Sequence, residues 1–147
     1  LPIIDVLLIS VGYLIRLDVG SVVINVQTSL FLAGTIFFLA CFIIFIKRYI
    51  EIKKNNSKST TFYSEKNLKI FIFLSSIFFF LTLSFFTFII DLRLIILIPF
   101  LVLIFVRYYK SSITHNLGEF PLDLILKDKI ILFCSSLVII YTIVLFY

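Results

Sequence analysis

The chain has 147 residues, 62% of them hydrophobic and only 14% charged, with a mean hydropathy of +1.22, whereas a water-soluble domain carries about 25% charged residues. A soluble globular domain is excluded, and lipid must solvate most of the chain. The net charge of +5 would suit a nucleic-acid surface on a soluble protein, but here the charges flank apolar runs, a pattern of membrane topology that leaves no nucleic-acid partner expected.

A spanning helix needs roughly 20 mainly apolar residues, each rising about 1.5 Å. On that criterion the expected fold class is all-α: a polytopic transmembrane bundle of five spans, forming a single transmembrane domain over residues 1–147. The first span, from Ile3 to Val26, is interrupted by Arg16 and Asp18. At about 100° per residue, Asp5, Gly12 and Arg16 fall on one stripe, which should face protein or water. An Arg at mid-span costs about 2.5 to 3.5 kcal/mol on insertion scales. Asp5 is three turns away, about 16 Å along the axis, and Asp18 points elsewhere. Arg16 is therefore expected to face a ligand anion or protein outside this chain, the plainer alternative being an interfacial Arg bonded to backbone carbonyls. Gly12 and Gly20 are candidates for close helix approach.

The second span, Ser29 to Ile46, follows a tight turn at 25–29 and runs into Lys47-Arg48-Tyr49-Ile50-Glu51. Lys47 and Glu51 are four residues apart and are expected to pair. Two adjacent cations at a membrane boundary read either as a stop-transfer flank or as a diphosphate site, with Arg48 offering a bidentate fork. The loop 47–67 contains KKNNSKSTT, a polar, low-complexity run expected to be solvated.

The third span runs from Leu68 to Ile90 and turns tightly at 91–93 into the fourth, Leu94 to Val106, where Pro99 is expected to mark a kink. In the loop 107–129, residues from Pro121 onward are expected to form an interfacial helix. Asp128 suits the positive end of the fifth helix, Ile130 to Tyr147. His115 has no companion at metal-ligand spacing, and Cys41 and Cys134 lie in apolar runs as small core residues. Of the 13 basic residues, 11 lie on or beside the two long loops, the others being Arg16 and Arg93. Both loops should therefore be cytoplasmic.

Several of these pieces resemble, in order, motifs of the UbiA-type membrane prenyltransferase superfamily, in its decaprenyl-phosphate phosphoribosyltransferase-like branch. GYLIRLDVG (Gly12 to Gly20) is similar to that branch's GhhLRhhhG stretch, and FIKRYIE (Phe45 to Glu51) to its ALxKRRxEL segment. Tyr63-Ser64 matches a YS pair. IPFLVLIFVRYY (Ile98 to Tyr109) and GEFPLDLILKDKIIL (Gly118 to Leu132) resemble its PFhhhxhhRYxhL and GxPTEhhhxDxPLh pieces. Tyr49 stands where the family has a second Arg, and Leu122-Asp123 where Thr-Glu is usual.

The resemblance implies a fold of nine helices, of which these five correspond to the last, with the Asp-rich magnesium motif in an N-terminal half outside this chain. That half would be a partner, and the present piece inactive without it. Also implied are transfer of a phosphoribosyl (or prenyl) group between phosphoribosyl diphosphate and polyprenyl phosphate, Mg2+ as cofactor, and a bacterial inner membrane as the location. Lys47, Arg48 and Arg16 would bind substrate phosphate, and Asp5, Gly12, Glu51, Arg107 and Asp128 would line the cavity, with no catalytic residue assigned. The alternative is a small non-enzymatic membrane subunit or transporter piece whose charges serve topology and assembly. An ion channel is disfavoured, since no span carries a ring-forming polar pattern.

Overall fold

The computed structural model describes residues 2–54, 65–115, 126 and 128–146. The described residues form α1 (Pro2–Val23), α2 (Leu30–Lys54), α3 (Glu65–Ile90), a 3-10 helix (Leu92–Ile96), α4 (Leu97–His115) and α5 (Lys129–Phe146). The stretches Ile4–Val23, Leu30–Lys53, Glu65–Ile90 and Leu92–Thr114 are long and apolar enough to cross a membrane, and Lys129–Leu145 is a shorter apolar helix. An integral membrane helix protein follows, because apolar segments of this length keep every backbone hydrogen bond internal only as helices.

The chain divides into two compact units, Leu1–Phe86 and Thr87–Tyr147. In the first, α1 and α2 form an antiparallel hairpin. Asn25 ends α1 in the left-handed region (φ 53). The amide of Val26 donates to the Ser21 carbonyl at 3.0 Å and that of Asn25 to the Val22 carbonyl at 3.2 Å, so a Schellman cap closes the helix with Asn in the place usually taken by Gly. Ser29 then starts α2, its Oγ accepting from the Leu32 amide at 3.1 Å, a Ser N-cap.

A regular aromatic seam joins α2 to α3. Phe31 packs on Phe85, Phe38 on Phe78 and Phe45 on Phe71, with ring centroids 5.6, 5.1 and 5.4 Å apart. The partners advance by seven residues on one helix and retreat by seven on the other, so the ring contacts recur every two turns in antiparallel register. Lipid is as apolar as these side chains, so association here rests on close contact rather than on escape from water. Each ring pair adds about 0.5–1.5 kcal/mol. Gly34 sits in this seam, where an added Cβ would stand 3.3 Å from Thr82 Cγ2. By contrast, an added Cβ at Gly12 or Gly20 meets nothing within 4 Å, so no described residue approaches α1 closely at those glycines.

Buried hydroxyls turn back onto their own helices: Ser10 Oγ donates to the Val6 carbonyl at 2.8 Å, Thr35 Oγ1 to the Leu32 carbonyl at 2.7 Å, and Ser75 Oγ to the Ile72 carbonyl at 2.9 Å. No polar hydrogen is left facing hydrocarbon at these positions. Cys41 and Cys134 are buried free thiols, as their apolar settings imply.

In the second unit, Asp91 Oδ1 accepts from the Arg93 amide at 2.9 Å and opens the 3-10 helix. The expected kink at Pro99 is instead a change of helix type before it. The 3-10 turn ends at Ile96 and α4 begins at Leu97, so Pro99 lies in the first turn of α4, where a missing N–H costs least. Helices α4 and α5 run antiparallel, Tyr141 Oη donating to the Arg93 carbonyl at 3.0 Å. Within the segments expected as loops, 47–54, 65–67 and 107–115 are helical. Tyr63-Ser64, Lys58, Leu122-Asp123, Lys127 and the helix expected to start at Pro121 lie outside the described residues, as does the His115 side chain.

Candidate functional site

Three contacts set the register of the first hairpin. Asp18 Oδ1 accepts from Thr28 Oγ1 at 3.0 Å near the turn, Ser10 Oγ meets Cys41 Sγ at 3.2 Å midway, and Asp5 pairs with Arg48 at the open end. The antiparallel α2–α3 seam then brings the start of α3 to the same end. The residues gathered there are Asp5 from α1, Lys47, Arg48, Glu51 and Lys53 from α2, and Glu65, Lys66 and Lys69 from α3.

Within this group the two members of the cationic doublet have different surroundings. Arg48 reaches across to Asp5 and donates from Nη1 to Glu51 Oε2 at 2.8 Å, while retaining 37% of its side-chain exposure. It ties α1 to α2. Lys47 is exposed, and no ion pair engages it among the described residues. The expected Lys47–Glu51 pair is thus replaced by Arg48–Glu51: Glu51 is three residues from Arg48 and four from Lys47, and the guanidinium fork serves two carboxylates at once where an ammonium would not. Ile46 and Ile50 are fully buried, and they hold this end of α2 in a phase that turns Lys47 outward. Tyr49 is buried too, and Lys69 Nζ lies 5.7 Å from its ring centroid, within cation–π range.

Arg16 does not join this group. It is exposed, and its guanidinium lies over the Tyr13 ring, 5.5 Å from the centroid. Among the described residues no carboxylate pairs with it. Asp5 shares the stripe but sits at the helix end, within reach of Arg48. Gly12 is half-buried with open space beside it.

In the second unit, Arg107 Nε donates to Asp128 Oδ2 at 2.9 Å, and Asp128 Oδ1 accepts from the Ile130 amide at 3.2 Å. Asp128 therefore caps α5, as expected from its place before the helix, and binds α4 to α5 as well. Its side chain is 8% exposed. Burial raises its pKa, but the Arg107 hydrogen bond, the Ile130 amide and the Arg107 charge together outweigh burial and hold the carboxyl below its ordinary value. A depressed carboxylate pKa contributes stability above the unfolded pKa and loses it as pH falls through the folded one. Unfolding in detergent micelles followed from neutral pH down through ~4 should show wild-type stability falling. Asp128→Asn should start about 1–2 kcal/mol lower and show a shallower slope. Equal slopes would remove this carboxylate from the acid response.

Magnesium does not fit the described residues. No three of His, Cys, Asp or Glu gather among them, and of the three carboxylates at the cationic end, Asp5 and Glu51 already serve Arg48. An open depression at the α1–α2 turn, lined by Asp18, Ser21, Asn25 and Thr28 among others, lies at the opposite end of the hairpin from Arg48. Comparison with family models, curated proteins and solved structures finds no match.

Proposed function

We propose that the cationic end of the first unit binds the phosphate of a polyprenyl phosphate at the membrane boundary. On this reading the chain serves as the last five helices of a nine-helix UbiA-type enzyme, transferring a phosphoribosyl group from phosphoribosyl diphosphate. The carrying observation is the exposed Lys47 beside an Arg48 whose position two carboxylates secure. Lys53, Lys66 and Lys69 stand at the same end of the helices and raise the local positive potential.

In the proposed transfer, a phosphate oxygen of the lipid attacks the anomeric carbon of the donor while that carbon's bond to the diphosphate breaks, the leaving group departing with the electron pair. The nucleophile is already an anion, so no protein base is required. Lys47 holds the lipid phosphate, and Arg48 orients the end of α2 that presents Lys47. The helices carrying the donor-binding Asp-rich motif have to be supplied for turnover, so binding is the property to measure on this chain. Its location is the inner membrane of a bacterium, with the basic ends of α2 and α4 towards the cytoplasm.

The test is binding of a short-chain polyprenyl phosphate to the chain in lipid nanodiscs at low salt. Lys47→Ala should weaken binding by about tenfold, the loss expected for one charge-assisted hydrogen bond, and the corresponding polyprenyl alcohol should bind weakly to both proteins. If phosphate and alcohol bind alike, the reading falls. The other reading, a non-enzymatic membrane subunit, is favoured by one feature: Arg48 and Arg107 both serve as interhelical ties.

A further inference from the structure

One face of α1 carries a charge that its own unit leaves unneutralised. Val6 and Ser10 mark the buried side of this helix, and Arg16 stands about 120° around the axis from Ser10. The span runs from Ile4 to Val23, so Arg16 lies seven residues, about 10 Å, from the nearer end. Long cationic side chains in such places ordinarily reach towards the nearer boundary. Here the guanidinium lies over Tyr13, one turn towards the N-terminus, the direction in which helical side chains lean, which places it near the middle of the span. A ring face offsets only part of the cost of a charge at that depth.

The other charged groups of α1 do not supply the remainder. Asp5 is engaged by Arg48, and Asp18 points about 200° away around α1 and accepts from Thr28. One turn to either side of Arg16, on the same stripe, stand Gly12 and Gly20, where an added Cβ would meet open space. A neighbouring helix can approach the α1 backbone at both points. Depth and charge limit what the neighbour can be. Lipid phosphates stay at the boundary, and a second copy of α1 would hold its Asp18 on the side away from its own Arg16, so two copies could not exchange ion pairs reciprocally.

We infer that this face of α1 docks a further transmembrane helix, one that carries an Asp or Glu near mid-depth and crosses α1 over Gly12 and Gly20. Its carboxylate accepts both arms of the Arg16 guanidinium fork, and the glycines admit its backbone. The inference is independent of the phosphate reading, which concerns the other end of the hairpin.

The full chain, labelled with a donor fluorophore in phosphatidylcholine vesicles, is titrated with an acceptor-labelled oligoleucine transmembrane peptide bearing one central Glu, and with the same peptide bearing Leu there. The Glu peptide should associate about tenfold more tightly than the Leu peptide. Arg16→Leu, which makes the span more apolar and should insert at least as well, should erase that preference, and Gly12→Leu with Gly20→Leu should reduce it while keeping the charge. Equal association of both peptides with the wild type overturns the proposal, as does a preference that survives Arg16→Leu. Self-association of labelled copies lost in Arg16→Leu overturns it in favour of a dimer. A preference that appears only when phosphatidylglycerol is added overturns it in favour of lipid headgroups.

Discussion

Gly34→Leu should destabilise the first unit by about 1–2 kcal/mol, within the range for inserting extra methylenes at a tight contact. The glycine lies between the Phe31–Phe85 and Phe38–Phe78 pairs, and Thr82 faces it. Thr82 cannot easily turn its methyl aside, because Oγ1 donates to the Phe78 and Phe79 carbonyls at 2.9 and 3.0 Å. A leucine there must push α2 from α3, and separation forfeits the ring contacts on both sides of it. Gly34→Ala is a milder case. Its Cβ would stand at 3.3 Å from Thr82 Cγ2, a tight contact, while the alanine gains about 1 kcal/mol of helix propensity over glycine. A result near neutral is expected for Ala, and Thr82→Gly should recover much of the loss in Gly34→Leu. Unfolding in mixed micelles, read by far-ultraviolet circular dichroism, measures all of these variants. If leucine proves no worse than alanine, the α2–α3 seam is not packed at this position.

The helices were legible because hydrocarbon permits few alternatives: long apolar runs with polar breaks at 25–29 and at Asp91 become helices with those boundaries. The caps were legible where one residue type does one job, as at Asp128. Pairings were harder, because a carboxylate's partner depends on register as well as on spacing along its own helix. Asp5–Arg48 was nonetheless within reach. A hairpin turning near residue 26 opposes residues whose numbers sum to about 53, and 5 and 48 do so. The Lys47–Glu51 expectation failed because it considered one helix alone, where two spacings compete and a third residue from α1 decides between them. The phenylalanine seam was also present in the sequence, as heptad steps at 31, 38 and 45 and at 71, 78 and 85. It was hidden by surrounding residues that are almost equally apolar. Arg16 remains the point where sequence and fold agree on a cost and the described helices do not meet it.

Arg48→Met and Lys47→Met should separate structure from binding in the cationic doublet. Removing Arg48 leaves Asp5 of α1 and Glu51 of α2 at the open end of the hairpin without the cation that joins them. The guanidinium is more than a third exposed, so solvent screening limits each pair to about 1 kcal/mol or less, and a total loss of about 1–2 kcal/mol is expected. Repulsion between the freed carboxylates accounts for part of that loss. Asp5→Asn placed on Arg48→Met should therefore cost less than Asp5→Asn alone, a coupling that a double-mutant cycle measures directly. Lys47→Met should change stability by no more than about 0.5 kcal/mol, as for other exposed positions without a partner, while losing affinity for the lipid phosphate. Equal destabilisation by the two substitutions would mean that Lys47 also ties helices together, and its availability to a ligand would no longer follow. A stable Arg48→Met protein that nevertheless fails to bind would move Arg48 from positioning the site to contacting the phosphate itself.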